Sequence, residues 1–184
     1  TQVQQFYGDM VAIACGAINS SVLLLKSAND QHPHGLANGS GLVGRNFMKH
    51  VLGSIIGVSK KPNPTQFQKT LSINDFYWGE QGYDYPLGQI QTLGKVSKEA
   101  LEANAAAYAP LTPEQVASHS IDWWLTVEDL PDPNNHIQVK GDKISLNYSE
   151  NNSEAYDRLE HRWIEILKSI ECGQEILPNC SYFA

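Results

Sequence analysis

The sequence predicts an α+β fold, a mainly antiparallel sheet of about six strands with helices on one face, preceded by a strand-turn-helix unit of different character. Three features predict it. Between residues 51 and 95 short apolar runs recur between turn-forming residues, from 119 to 128 the stretch HSIDWWLTVE alternates, and from 151 to 170 apolar residues fall at helical spacing. An alternating strand buries one face, and a 3.6-residue period makes one buried stripe on a helix.

Taken in order, Met10-Val11-Ala12-Ile13, the small residues Ala14, Cys15 and Gly16, and the leucine-rich GAINSSVLLLKS read as strand, turn and helix. Cys15 follows the apolar run and reads as a small buried hydrophobe. Residues 30–46 are rich in Gly, Asn, Pro and His and read as loop. VLGSIIGVS, TQFQKTLSI, DFYWG and LGQIQTLGK then read as about four strands, separated by the breakers KPNP and EQGYDYP. Ser97 stands where it can cap a short helix, and Thr112-Pro113-Glu114-Gln115 has capping-box spacing with proline at the first helical position.

In the alternating stretch, Ile121, Trp123, Leu125 and Val127 take one face while Asp122, Trp124, Thr126 and Glu128 take the other. That pattern gives one core face and one face lining something polar. HIQVKGDKISLNY is two β-runs around Gly141-Asp142, a linker suited to a type II′ or I′ hairpin. Asn151 with Glu154 three residues later supplies the start signal for the last helix, which carries Ala155, Leu159, Trp163, Ile166, Leu167 and Ile170. The opening strand-turn-helix lacks the parallel neighbours such a unit needs. It therefore reads as the end of another domain, with a boundary between residues 1–46 and 47–184.

Apolar residues make up 41% of the 184-residue chain and charged residues 18%, a composition that supports one sizeable core rather than disorder. The formal charge of -7, with no basic cluster larger than Lys60-Lys61, argues against a nucleic-acid partner. No apolar stretch approaches the roughly 18 residues that would span a bilayer. Cys15, Cys172 and Cys180 have neither CxxC spacing nor an even count, so neither a zinc site nor a disulfide framework is expected. Cys172 and Cys180 could pair in an oxidising compartment, but read more simply as two free thiols, and the chain fits a cytoplasmic or a periplasmic setting.

Residues 39–44, GSGLVG, match the letters of G-x-G-x-x-G. A dinucleotide fingerprint must follow a strand and open a helix; here a loop precedes it and an interrupted stretch follows. The six histidines are scattered, with no HExxH, so no metal is expected. No G-x-S-x-G elbow anchors a hydrolase triad. Asp122, Glu128 and Asp129 offer carboxylates for glycoside chemistry, but Glu128 and Asp129, being adjacent, point to opposite faces of a strand and make a poor pair.

Certain segments resemble a known family. GAINSSVLLLKS, through Gly16, Ala17, Ser20, Leu24, Leu25 and Ser27, is similar to the second signature of the glucose-methanol-choline (GMC) oxidoreductases, with Ser21 and Ala28 where that family has proline and glycine. GLVGRNFMKH, through Val43, Gly44, Asn46 and His50, resembles the segment leading from the flavin domain into the substrate domain. VEDLPDPNNHIQV resembles the strand and hairpin that lead toward the C-terminal region. The likeness is strongest to the bacterial sugar- and polyol-dehydrogenase branch.

The resemblance implies an internal piece of an FAD-dependent enzyme that transfers a hydride from an alcohol, polyol or sugar to flavin. It implies the end of an FAD domain in residues 1–46 and most of a substrate domain in 47–184, with the rest of the parent polypeptide as partner. It implies a catalytic histidine pair, or histidine and asparagine, beyond Ala184, so that this chain alone is inactive and does not retain FAD. Ala14, Cys15, Gly16 and Asn46 would then lie by the cofactor, and His50, Gln89, Gln91, Trp124, Thr126 and Glu128 by the substrate. Without the resemblance, a tight turn accounts equally for Gly16, loop capping for Asn46 and His50, and a solvated sheet face for Trp124, Thr126 and Glu128. A non-catalytic carbohydrate-binding module, using Gln89, Gln91, Trp124 and Glu128, is the alternative from another class.

Overall fold

The computed structural model describes residues 4–65, 69–170 and the backbone of 176–178. Cys172 and Cys180 lie outside the described residues. The chain divides into two compact units, Thr1–Met48 with Pro131–Ser149, and Lys49–Leu130 with Glu150–Ala184. The hairpin segment, which the sequence reading placed with the later residues, groups with the N-terminal ones. Among the described residues the predicted α+β architecture is observed as a five-stranded sheet, a two-stranded sheet and four α-helices.

In the first unit, α1 (Gly16–Lys26) follows a segment that forms no strand among the described residues. Met10 and Val11 are 92% and 82% exposed. A strand needs a neighbour for its backbone groups, and none of the described strands pairs there, which corrects the predicted strand and leaves Cys15 exposed rather than buried. Residues 39–44 are turns, and a lone bridge from Arg45 to His136 follows where a fingerprint would open a helix.

The hairpin of β5 (His136–Lys140) and β6 (Lys143–Asn147) turns through Gly141, at φ +59°, and Asp142. Positive φ at the first central position alone marks a type II′ turn. Asn135 is buried and holds the hairpin base, its amide donating to the Ser149 carbonyl and accepting from the Ser149 N–H.

The second unit is built on the order β2 (Ser72–Ile73), β3 (Gln89–Thr92), β4 (Ser120–Glu128), β1 (His50–Val58) and β7 (Ile176–Pro178), all neighbours antiparallel. Among its described residues TQFQKTLSI contributes only β2, and DFYWG is turn, held by the Tyr77 N–H on the Asn74 carbonyl and the Gly79 N–H on the Phe76 carbonyl. On one sheet face Val51, Ile55, Ile90, Trp123, Leu125 and Val127 pack against Ala155, Leu159, Trp163 and Leu167 of α4 (Ser153–Ser169). Trp123 and Trp163 meet edge to face at 4.7 Å. Gly53 makes room on that face: a Cβ there would stand 1.6 Å from the Tyr156 hydroxyl.

Asn151 does not cap α4. Its amide donates to the Leu130 carbonyl and accepts from the Leu130 N–H, and Asn152 is the residue that flanks the helix. The caps read from sequence at Ser97 and Thr112 are formed, on α2 (Lys98–Glu102) and α3 (Pro113–His119). These two helices, with a 3-10 turn at Ala105–Tyr108, cover one end of the opposite sheet face. There Leu101, Tyr108 and Val116 pack on Ile56 and Val58.

Candidate functional site

The strand register decides which residues can act together. Opposite residues in antiparallel strands share a face, and Trp124 stands opposite Ser54 on one side and Gln91 on the other, with Ser72 opposite Gln91. Thr126 stands opposite Leu52 and Gln89, and Glu128 opposite His50. His50, Gln89, Gln91, Trp124, Thr126 and Glu128, six residues drawn from three strands, therefore lie on one face, the one that α4 does not cover. The covering helices reach only its Ile56 and Val58 end. From Trp124 to Glu128 the open part extends about 13 Å, at roughly 3.3 Å per residue.

Chemically the face is a field of hydroxyls and amides around one indole. Gln89 donates to the Ser72 hydroxyl at 2.8 Å and to Asn74 at 3.1 Å, which fixes its amide and leaves its carbonyl oxygen oriented by that geometry. Trp124 and Thr126 are half-buried, while His50 and Glu128 are exposed at the rim. Such a surface can hold a polyhydroxylated molecule by hydrogen bonds and by stacking on the ring.

Three residues of this face were not singled out from sequence. Leu52 and Ser54 belong to the alternation of HVLGSIIGV, which is legible once the strand is paired. Lys69, whose ammonium lies 5.4 Å from the centre of the Trp124 ring, comes from a segment that looked like strand. Its placement follows from Thr92, whose hydroxyl accepts the backbone N–H groups of Thr70 and Leu71.

Asp122 shares the face but lies under the helix-covered end. It is buried, accepts the Val96 N–H, and burial raises its carboxyl to about 6 against the ordinary 3.8. It is thus a structural acid rather than a partner for Glu128. A concavity of about 610 Å³ near this end is lined by Asn63, Lys95, Val96, Ser97 and Glu114, away from the open face.

The residues expected beside a cofactor belong to the first unit. Gly16 adopts φ +79°, with nothing within 4 Å of where a Cβ would stand. The N-terminus of α1 has no side-chain cap and no acidic residue in its first turn. Asn46 is half-buried and left-handed at φ +55°. No cluster of three or more potential metal ligands occurs among the described residues, and no helix among them is long and apolar enough to cross a membrane.

No protein-family model matches the chain. Over 139 residues, 71% of this chain, it is 32% identical to the large subunit of fructose dehydrogenase from Gluconobacter japonicus. That stretch is 25% of the relative, so the chain spans about a quarter of the length of the curated relative it matches. The similarity is thus to one portion of the large subunit of a sugar-oxidising dehydrogenase.

Proposed function

We propose that this chain is part of an FAD-dependent oxidoreductase of the GMC family that oxidises a sugar, polyol or alcohol hydroxyl, and that the open face of its five-stranded sheet receives the substrate. The observation that carries this reading is the gathering of His50, Gln89, Gln91, Trp124, Thr126 and Glu128 on one uncovered face. The similarity to a fructose dehydrogenase subunit supports the same substrate class. That relative is one subunit of an enzyme, which supports other polypeptides as partners.

On this reading Ala14, Cys15, Gly16 and Asn46 hold the cofactor. The uncapped first turn of α1, free of acidic residues and preceded by small exposed side chains, fits an electron-rich group approaching the backbone. FAD, when bound, supplies the hydride acceptor. The residues of the sheet face bind and orient the hydroxyl compound: Trp124 offers an apolar ring face, Thr126 and the two glutamines hydrogen-bond hydroxyls, and Glu128 accepts a hydroxyl proton donor at the rim.

The test is the absorption spectrum of the purified full-length parent protein, recorded before and after adding a panel of neutral sugars and polyols. Flavin bands that bleach on addition of one of them are expected. A colourless full-length protein that still binds sugar would replace this reading with the carbohydrate-binding module.

A further inference from the structure

An aromatic ring on an open polar surface is by its electrostatics a receptor for cations. The negative face of an indole attracts ammonium groups within about 6 Å of its centre, and quaternary ammonium compounds are bound in this way. On the sheet face that position is already taken by Lys69, whose ammonium lies 5.4 Å from the Trp124 ring centre. The occupant is held from behind. Thr92 is buried and accepts the N–H groups of Thr70 and Leu71, and Ser72 pairs with Gln91 in the same row as Trp124. Among the described residues no carboxylate forms an ion pair with Lys69, and the Trp124 ring is the group its ammonium faces. On the same face of β4, Asp122 is buried under the helix-covered end and Glu128 stands exposed two rows from Trp124.

We propose that Lys69 is a specificity-determining residue: it fills the cation-attracting face of Trp124, so the sheet face accepts neutral hydroxyl compounds and rejects cationic ones. This rests on the reading of that face as the substrate site. A neutral polyol needs only to displace or hydrogen-bond the ammonium, which has three donors to offer hydroxyl oxygens. A cationic alcohol must instead approach an ammonium of like charge and finds no free ring. The device is negative as well as positive, since discrimination comes from what the site repels.

The test uses the full-length parent protein and three substitutions, Lys69→Ser, Lys69→Arg and Trp124→Leu, with tetramethylammonium as probe. Binding is read by quenching of tryptophan fluorescence, and competition by inhibition of neutral-sugar oxidation. Lys69→Ser uncovers the ring, so tetramethylammonium binding is expected to tighten about tenfold, while Lys69→Arg keeps a cation in place and retains wild-type exclusion. Adding Trp124→Leu to Lys69→Ser removes the gain.

Equal tetramethylammonium binding by wild type and Lys69→Ser, with sugar oxidation and its dependence on Trp124 intact, overturns the role of Lys69 and leaves the substrate site standing. A gain of cation binding in Lys69→Ser that inhibits no oxidation supports the ring-filling role while overturning the substrate reading of the face. Lys69 is an exposed side chain on an irregular segment, and melting temperatures of all variants within a degree or two of wild type are expected.

Discussion

Gly53 shows how a single residue couples the two sheet faces. Its side chain would lie on the α4 face, where the Tyr156 hydroxyl occupies that space and donates to Glu160 at 3.2 Å. Its neighbours Leu52 and Ser54 belong to the open face. Alanine at 53 must drive the Tyr156 ring outward, and overpacking of this kind costs about 1–3 kcal/mol. Gly53→Ala is therefore expected to lower the urea midpoint clearly, and the double variant with Tyr156→Ala to recover most of the loss, a non-additivity measured by a double-mutant cycle. At the rim, Glu128→Gln in the full-length enzyme is expected to reduce kcat/KM more than about tenfold, or roughly 1.4 kcal/mol, with little change in melting temperature. Unchanged kinetics with full flavin content would return Glu128 to the ordinary wet surface of a sheet.

At the scale of elements, the helices α2 and α3 owe their seat on the sheet partly to Asp122, whose carboxylate accepts the Val96 N–H just ahead of α2. Burial raises that carboxyl to about 6. The folded state thus holds the proton more tightly than the unfolded chain. This group favours folding fully below about pH 3.8, and the contribution is lost as pH rises through about 6. Asparagine can accept the same N–H without a charge. Asp122→Asn is expected to gain stability relative to wild type between pH 4 and pH 7.5, by up to about 3 kcal/mol, seen as a widening difference in urea midpoints. A difference that is the same at both pH values would show that burial does not set this titration.

The same elements show what sequence could reveal. The alternation of HSIDWWLTVE, the Gly141-Asp142 turn and the two caps at Ser97 and Thr112 are local, and each was legible because its signal lies within a few residues. Trp124, Thr126 and Glu128 could be assigned to one strand face for the same reason, since period-two side chains declare a face before its partner strands are known, whereas His50 was named only through the family resemblance. Lys69 escaped because its position depends on Thr92, far along the chain. Asn151 carried a valid capping signal, and Leu130 took its amide instead. Cys15 and the run before it escaped because burial depends on neighbours that local pattern does not contain.

For the whole molecule, the expected consequence of the division into two units is functional dependence. The 184-residue chain carries Ala14, Cys15, Gly16 and Asn46 in one unit and the open sheet face in the other. It is similar to only a quarter of a dehydrogenase subunit. On its own it is expected to emerge colourless from gel filtration in the presence of FAD and to show no alcohol or sugar oxidation; retention of yellow colour would contradict this. The paired hydrogen bonds between Leu130 and Asn151, 3.0 and 2.9 Å long, bear on the history of such a chain. They tie together the points where the backbone leaves the sheet unit and where it returns. The excursion from Pro131 to Ser149 is thus a loop with a fastened neck. Because closing a loop costs only about 0.6 kcal/mol more for each doubling of its length, hairpins much longer or shorter could be spliced there over evolutionary time while the sheet and its open face kept their stability.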